Sequence, residues 1–211
     1  MTEQEWQGAA NPDDLLSHLG DKRSRRKSRL LACACCQRMG EHIPEEFHEM
    51  LVTAEAYADR RVKKHELPSH IKKFRHLDRA AGAVTLVAYR NGSLASLRLA
   101  MGQARWVLAE HGHGSHFGVP LAVESAVQAN LLRDIFGNPF RPVAFEAGWR
   151  TGTVLGLAEG VYEERAWDRL PILADALEDA GCESEEILGH LRGEGPHARG
   201  CWALDLVLGK E

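Results

Sequence analysis

Four cysteines and a few histidines are the residues of this chain whose types and spacing could do chemistry. Cys33, Cys35 and Cys36 fall within four residues, in Leu31-Ala-Cys-Ala-Cys-Cys-Gln-Arg38, and Cys201 closes the segment His197-Ala-Arg-Gly-Cys201. Together C-x2-C and H-x3-C make a nitrogen and sulfur ligand set that zinc uses. On a helix, Cys33 and Cys36 lie about 60° apart at 100° per residue, on one face. Cys35 falls with Leu31 and Met39 on another face and reads as core packing. The expected zinc ligands are therefore Cys33, Cys36, His197 and Cys201, with His190 or Cys182 as substitutes. The two pairs are about 160 residues apart in sequence, so only the fold could bring them together. Free cysteine also behaves as a small buried hydrophobe, so core packing stands beside the metal reading. A redox dithiol is the third alternative, but it calls for a helix N-terminus, and this C-x-x-C sits mid-helix.

Two other clusters carry charge or metal-binding side chains. Lys22-Arg-Ser-Arg-Arg-Lys-Ser-Arg29 holds six cations in eight residues: Lys22, Arg23, Arg25, Arg26, Lys27 and Arg29. It could contact phosphates or an acidic partner, although helical periodicity spreads its charges around the axis. Glu178, Asp179, Glu183, Glu185 and Glu186 form an acidic counterpart. His111-Gly-His-Gly-Ser-His116 places three imidazoles in six residues, as a polar loop or a transition-metal loop. The common catalytic signatures do not occur: H-E-x-x-H, G-x-S-x-G, a P-loop and a dinucleotide fingerprint are all absent from the sequence. Paired carboxylates such as Asp13/Asp14 and Glu45/Glu46 fall at helix starts, where they cap. Asp134 with Arg133 and Arg141 reads as a structural ion-pair network.

The elements that must position these residues are helical. Asn11-Pro-Asp-Asp14 is a helix opening, and helices are expected over about 12–19, 21–39, 44–62, 69–89, 93–110 and 120–136. Further ones are expected over about 151–165, 168–179, 184–191 and 201–208. Phe47, Leu51, Ala54, Ala58 and Val62 form one apolar stripe; Ile172, Leu173, Ala176, Leu177 and Ala180 form another. No segment alternates convincingly as a strand. The expected fold is an all-α compact bundle of about eight to ten helices, one domain over 1–211, with a candidate subdomain seam at 138–143. There Asn138-Pro-Phe-Arg-Pro142 disfavours helix.

At 211 residues, 44% hydrophobic and 27% charged, the chain has ordinary globular composition. It is large enough to bury roughly 70% of its unfolded-state surface without a metal or disulfide. The formal net charge of −4 argues against a generic nucleic-acid binder. No apolar run approaches the roughly 20 residues of a membrane span. Met1–Trp6 has no signal-peptide core, and five cysteines without disulfide-like spacing suit a reducing cytoplasm.

The run Leu30–Arg38 combines with three distinctive segments: Leu131-Leu-Arg-Asp-Ile-Phe-Gly-Asn-Pro-Phe-Arg-Pro-Val143, Asp168–Cys182 and His197-Ala-Arg-Gly-Cys-Trp-Ala-Leu-Asp-Leu-Val-Leu-Gly-Lys210. In these the chain resembles a family of helical proteins, with no established activity, that planctomycete-type bacteria carry in multiple copies. The resemblance covers the first 60 and last 80 residues. It implies that the cysteine run and the His-x3-Cys-Trp segment recur together, and it implies no catalytic residues. The leading expectation is a non-catalytic helical interaction or regulatory protein, with a protein partner or self-association, and a structural zinc joining its N- and C-terminal helices. The alternatives are a metal- or thiol-dependent enzyme using the Cys/His cluster, and a nucleic-acid-associated factor using residues 22–29.

Overall fold

Side-chain capping sets several of the helix starts. Thr2 and Glu5 form a capping box: the Thr2 hydroxyl accepts the Glu5 amide at 3.2 Å, and the Thr2 amide donates to the Glu5 carboxylate at 2.7 Å. Asn11 accepts the Asp13 amide at 3.1 Å, with Pro12 in the first turn. Thr151 and Ser184 cap two later helices in the same way. The computed structural model describes residues 1–20, 23–67, 79–89, 94–110 and 120–210. Its α-helices are α1 (Glu3–Gly8), α2 (Pro12–Leu19), α3 (Arg25–Gln37), α4 (Glu45–Ala58), α5 (Arg79–Tyr89), α6 (Leu94–Glu110), α7 (Leu121–Phe136), α8 (Gly152–Glu164), α9 (Leu170–Asp179), α10 (Glu185–Arg192) and α11 (Trp202–Leu208). No strand occurs among the described residues, so the fold class is all-α, as expected. No described helix is long and apolar enough to cross a membrane.

The chain divides into two compact units, Met1–Leu132 and Arg133–Glu211. In the first, α3 packs against α4, α5 and α6. It buries Leu30, Leu31, Cys33, Cys35 and Cys36 almost completely. The stripe on α4 is seen at Phe47, Leu51, Ala54 and Ala58, but Val62 lies beyond it. The helix stops because Arg60 takes a left-handed conformation (φ 60°) and the Arg61 amide turns back to the Ala56 carbonyl at 2.9 Å.

A polar chain, buried at Glu124 and Gln128, links four helices of this unit. Arg38 grips Glu124 with bonds of 2.7–3.1 Å. Gln128 donates to the Met101 carbonyl at 3.2 Å and accepts from Arg105 at 3.2 Å, and Arg105 reaches Asp13 at 3.3 Å. Glu124 is fully buried, whereas Arg38 is about a third exposed. Removing the guanidinium leaves a buried carboxylate with its weak contact to Gln128 at 3.4 Å. Arg38→Met is therefore expected to lower unfolding stability by about 2 kcal/mol, measured by urea denaturation. Equal midpoints for mutant and parent would refute a stabilising role for the pair.

In the second unit α9 packs on α8 and α10, and α11 packs on α8 and α10. Leu170, Leu173, Ala174 and Leu177 are buried at i, i+3, i+4 and i+7. Ile172 was expected on this face and instead points to solvent at 54% exposure, because it sits about 100° around the helix from Leu173.

Candidate metal centre

Asp134 comes from the last turn of α7, where it stands beside buried Ile135. Gly137 ends that helix with φ +71°, its amide bonded to the Arg133 carbonyl at 2.8 Å. A side chain at Gly137 would also crowd Trp202, whose Cγ lies 3.2 Å from the position a Cβ would take. The space given up by glycine lets the Trp202 ring lie 5.0 Å from the His190 ring. His190 projects from the C-terminal half of α10. His197 lies in the α10–α11 connection, and Cys201 is the N-cap of α11. Arg199 holds that connection to α8 by donating to the Tyr162 carbonyl at 3.2 Å and stacking on the Tyr162 ring.

These four side chains converge on a point. His190 Nε2 lies 3.2 Å from Asp134 Oδ1 and 3.1 Å from Cys201 Sγ, and His197 Nδ1 lies 2.9 Å from the same Oδ1. One ligand atom from each of Asp134, His190, His197 and Cys201 lies within 4.8 Å of all the others. Zinc bonds of about 2.0–2.3 Å in a tetrahedron place neighbouring donors about 3.3–3.7 Å apart, so the three contacts of 2.9–3.2 Å would have to open slightly around an ion. No protein-family model, curated protein or solved structure significantly matches the chain.

The same distances argue against a thiol triad. In a Cys-His-Asp relay the imidazole uses opposite nitrogens, one toward the nucleophile and one toward the carboxylate. Here a single nitrogen of His190 faces both Cys201 and Asp134, which is how ligands gather around an ion. Cys201 is also fully buried. Burial pushes its thiol well above the usual range, the Asp134 charge adds to this, and the Leu204 and Ala203 amides only partly offset it. Such a thiol is a poor nucleophile by itself.

His197 has a defined proton inventory. Its Nε2 faces the Gly193 carbonyl at 3.1 Å. A carbonyl can only accept, so Nε2 carries a hydrogen. Nδ1 then either carries a second proton toward Asp134 or offers its lone pair to a cation. Burial works to lower the His197 pKa, but the hydrogen bond and charge of Asp134, with the Gly193 carbonyl, outweigh it and leave it raised. With His197 protonated and no cation bound, the centre is an imidazolium–carboxylate pair beside a neutral thiol. With a divalent cation, one carboxylate and one thiolate balance its charge inside a largely buried site.

Of the ligands expected from spacing, His197 and Cys201 lie in this cluster, joined by His190, the expected substitute. Cys182 is buried in the second unit's core, its amide bonded to the Leu177 carbonyl at 2.9 Å. Cys33 and Cys36 belong to the first unit, buried on α3. Burial there pushes the Cys36 thiol up to about 12. Asp134 was expected only as an ion-pair partner of arginines. A carboxylate within Leu131-Leu-Arg-Asp-Ile-Phe136, where Leu131, Leu132 and Ile135 are buried, was the available signal.

The basic segment is partly committed inside its own unit. Arg26 pairs with Asp59 at 2.9 Å. Arg29 is buried, donates to the Val87 and Ala88 carbonyls and lies over the Tyr57 ring. Arg23 donates to the Gly20 carbonyl, and Arg25 is exposed. Lys27 is half-buried, and Lys22 and His111–His116 lie outside the described residues.

Proposed function

We propose that the protein is a non-catalytic helical interaction protein whose Arg133–Glu211 unit is stapled by one structural zinc ion. The ion is held by Asp134, His190, His197 and Cys201. The convergence of four donor atoms within 4.8 Å carries this reading. Two imidazoles, a thiolate and a carboxylate are donors zinc accepts, and four protein ligands fill a tetrahedral structural site. The staple would tie the end of α7, the end of α10 and the start of α11 together. On the first unit, Leu99 and Trp106 stand seven residues apart on α6, both about half exposed, with Arg79 over the Trp106 ring, and they would be two apolar points of contact for a protein partner.

Elemental analysis of protein purified without added chelator tests the staple, with about one zinc per chain expected. Cys201→Ser should lose the metal. Cys36→Ser should keep it, because the second unit already supplies four donors. Zinc whose removal lowers unfolding stability is structural; zinc whose removal leaves stability unchanged would favour the enzyme reading. A metal-free protein that also takes up none on titration would refute the staple.

A further inference from the structure

We infer that two backbone groups of the α10–α11 connection, the Gly193 carbonyl and the Ala198 amide, make this a closed four-coordinate site, selective for zinc and cobalt(II) over magnesium, calcium and manganese. The inference rests on the metal reading above and goes beyond it to coordination number and metal class.

A carboxylate can present either one oxygen or both to a metal. Asp134 Oδ2 is already taken: it accepts the Ala198 amide at 3.0 Å. Ala198 is itself buried, so water does not readily replace that bond. Oδ1 alone faces His190 and His197. Asp134 is therefore a one-oxygen donor. The Gly193 carbonyl does the equivalent for His197 by engaging Nε2 and turning Nδ1 inward. Ligating histidines characteristically give their second ring nitrogen such a partner, which fixes tautomer and ring orientation. With one donor atom per side chain, the set is two nitrogens, one oxygen and one sulfur.

That set discriminates. Magnesium and calcium require six or more oxygen ligands, and manganese favours oxygen-rich octahedra. No coordination position is left for a substrate or an activated water. Gly193 and Ala198 are positioning residues, because they act through His197 and Asp134.

Cobalt(II) titration of the metal-free full-length chain tests this. Stoichiometric uptake with the intense visible bands of four-coordinate cobalt, together with a sulfur-to-cobalt charge-transfer band, is expected. Ala198→Pro deletes the amide hydrogen and frees Oδ2, so the visible bands should weaken several-fold as Asp134 binds through both oxygens. Ala198→Gly keeps the amide and should leave the spectrum unchanged. Stoichiometric uptake with weak bands in the parent chain would overturn the four-coordinate inference while leaving the metal site standing. An unaltered Ala198→Pro spectrum would overturn the role of the amide. Failure to take up either cobalt or zinc would sink the metal reading itself. Should Ala198→Pro not fold, zinc-edge X-ray absorption of the parent decides: one sulfur and three light donors support the inference, and five or more donors overturn it.

Discussion

Asp134→Ala is expected to abolish zinc binding and to cost the metal-free protein about 3–5 kcal/mol of unfolding stability. The carboxylate meets three partners at once: His197 Nδ1 at 2.9 Å, His190 Nε2 at 3.2 Å and the Ala198 amide at 3.0 Å. Its side chain is 3% exposed and that of His197 7%, so solvent screens the pair little. Alanine leaves a buried imidazole and a buried amide without their acceptor, and the penalty is mostly theirs rather than the net worth of the pair. Asp134→Asn separates the two contributions. It keeps an oxygen for the Ala198 amide but removes the charge, so a smaller loss of about 1–3 kcal/mol is expected, with metal binding still lost. Denaturant midpoints with and without saturating zinc, alongside metal content, check both variants. Parent-like stability and zinc content in Asp134→Ala would show that this carboxylate anchors nothing.

How legible these features were depends on how local their causes are. Helices α2, α7, α8 and α10 begin within about a residue of where their caps and prolines place them, since a cap acts over three or four residues. Helix α1 escaped the sequence reading, although Thr2 and Glu5 carry a capping box and Trp6 is fully buried. Six residues are too few to show a period. The site residues His190, His197 and Cys201 fall within 12 residues and were legible as a group. Asp134 lies 63 residues before His197. Its pairing is created by the packing of α7's end against the α10–α11 connection, and spacing along the chain does not encode that contact. The convergence of one His190 nitrogen on two partners is likewise a fact of three-dimensional geometry. Residue types alone left metal, thiol chemistry and core packing open.

Zinc and pH are expected to act on this protein with opposite signs, and the difference between loaded and metal-free stability should grow steadily from pH 6 to pH 8. In the metal-free state the His197 pKa is raised: burial opposes the charge, but Asp134 and the Gly193 carbonyl prevail. The imidazolium–carboxylate pair therefore contributes fully below the unfolded histidine pKa of about 6.5, and its contribution is lost as pH rises through the higher folded value. The buried Cys201 thiol acts in the same direction. Its folded pKa is also raised, so ionisation in the unfolded chain above about pH 8.5 weakens the folded state. Zinc needs both sites deprotonated, His197 at Nδ1 and Cys201 at sulfur, and so it displaces their protons. Above the folded His197 pKa only the thiol proton is expelled, and affinity should rise about tenfold per pH unit, worth about 1.4 kcal/mol. Below it, where two protons leave, the slope should approach twice that. At free zinc about 100-fold above its dissociation constant, the loaded protein should exceed the metal-free one by about 2.7 kcal/mol, a margin that widens with pH when free zinc is held constant by a metal buffer. Calorimetric titration in two buffers of different ionisation enthalpy counts the protons directly. A zinc increment that stays flat across the range, with no proton released on binding, would mean that Cys201 and His197 are not the ligands.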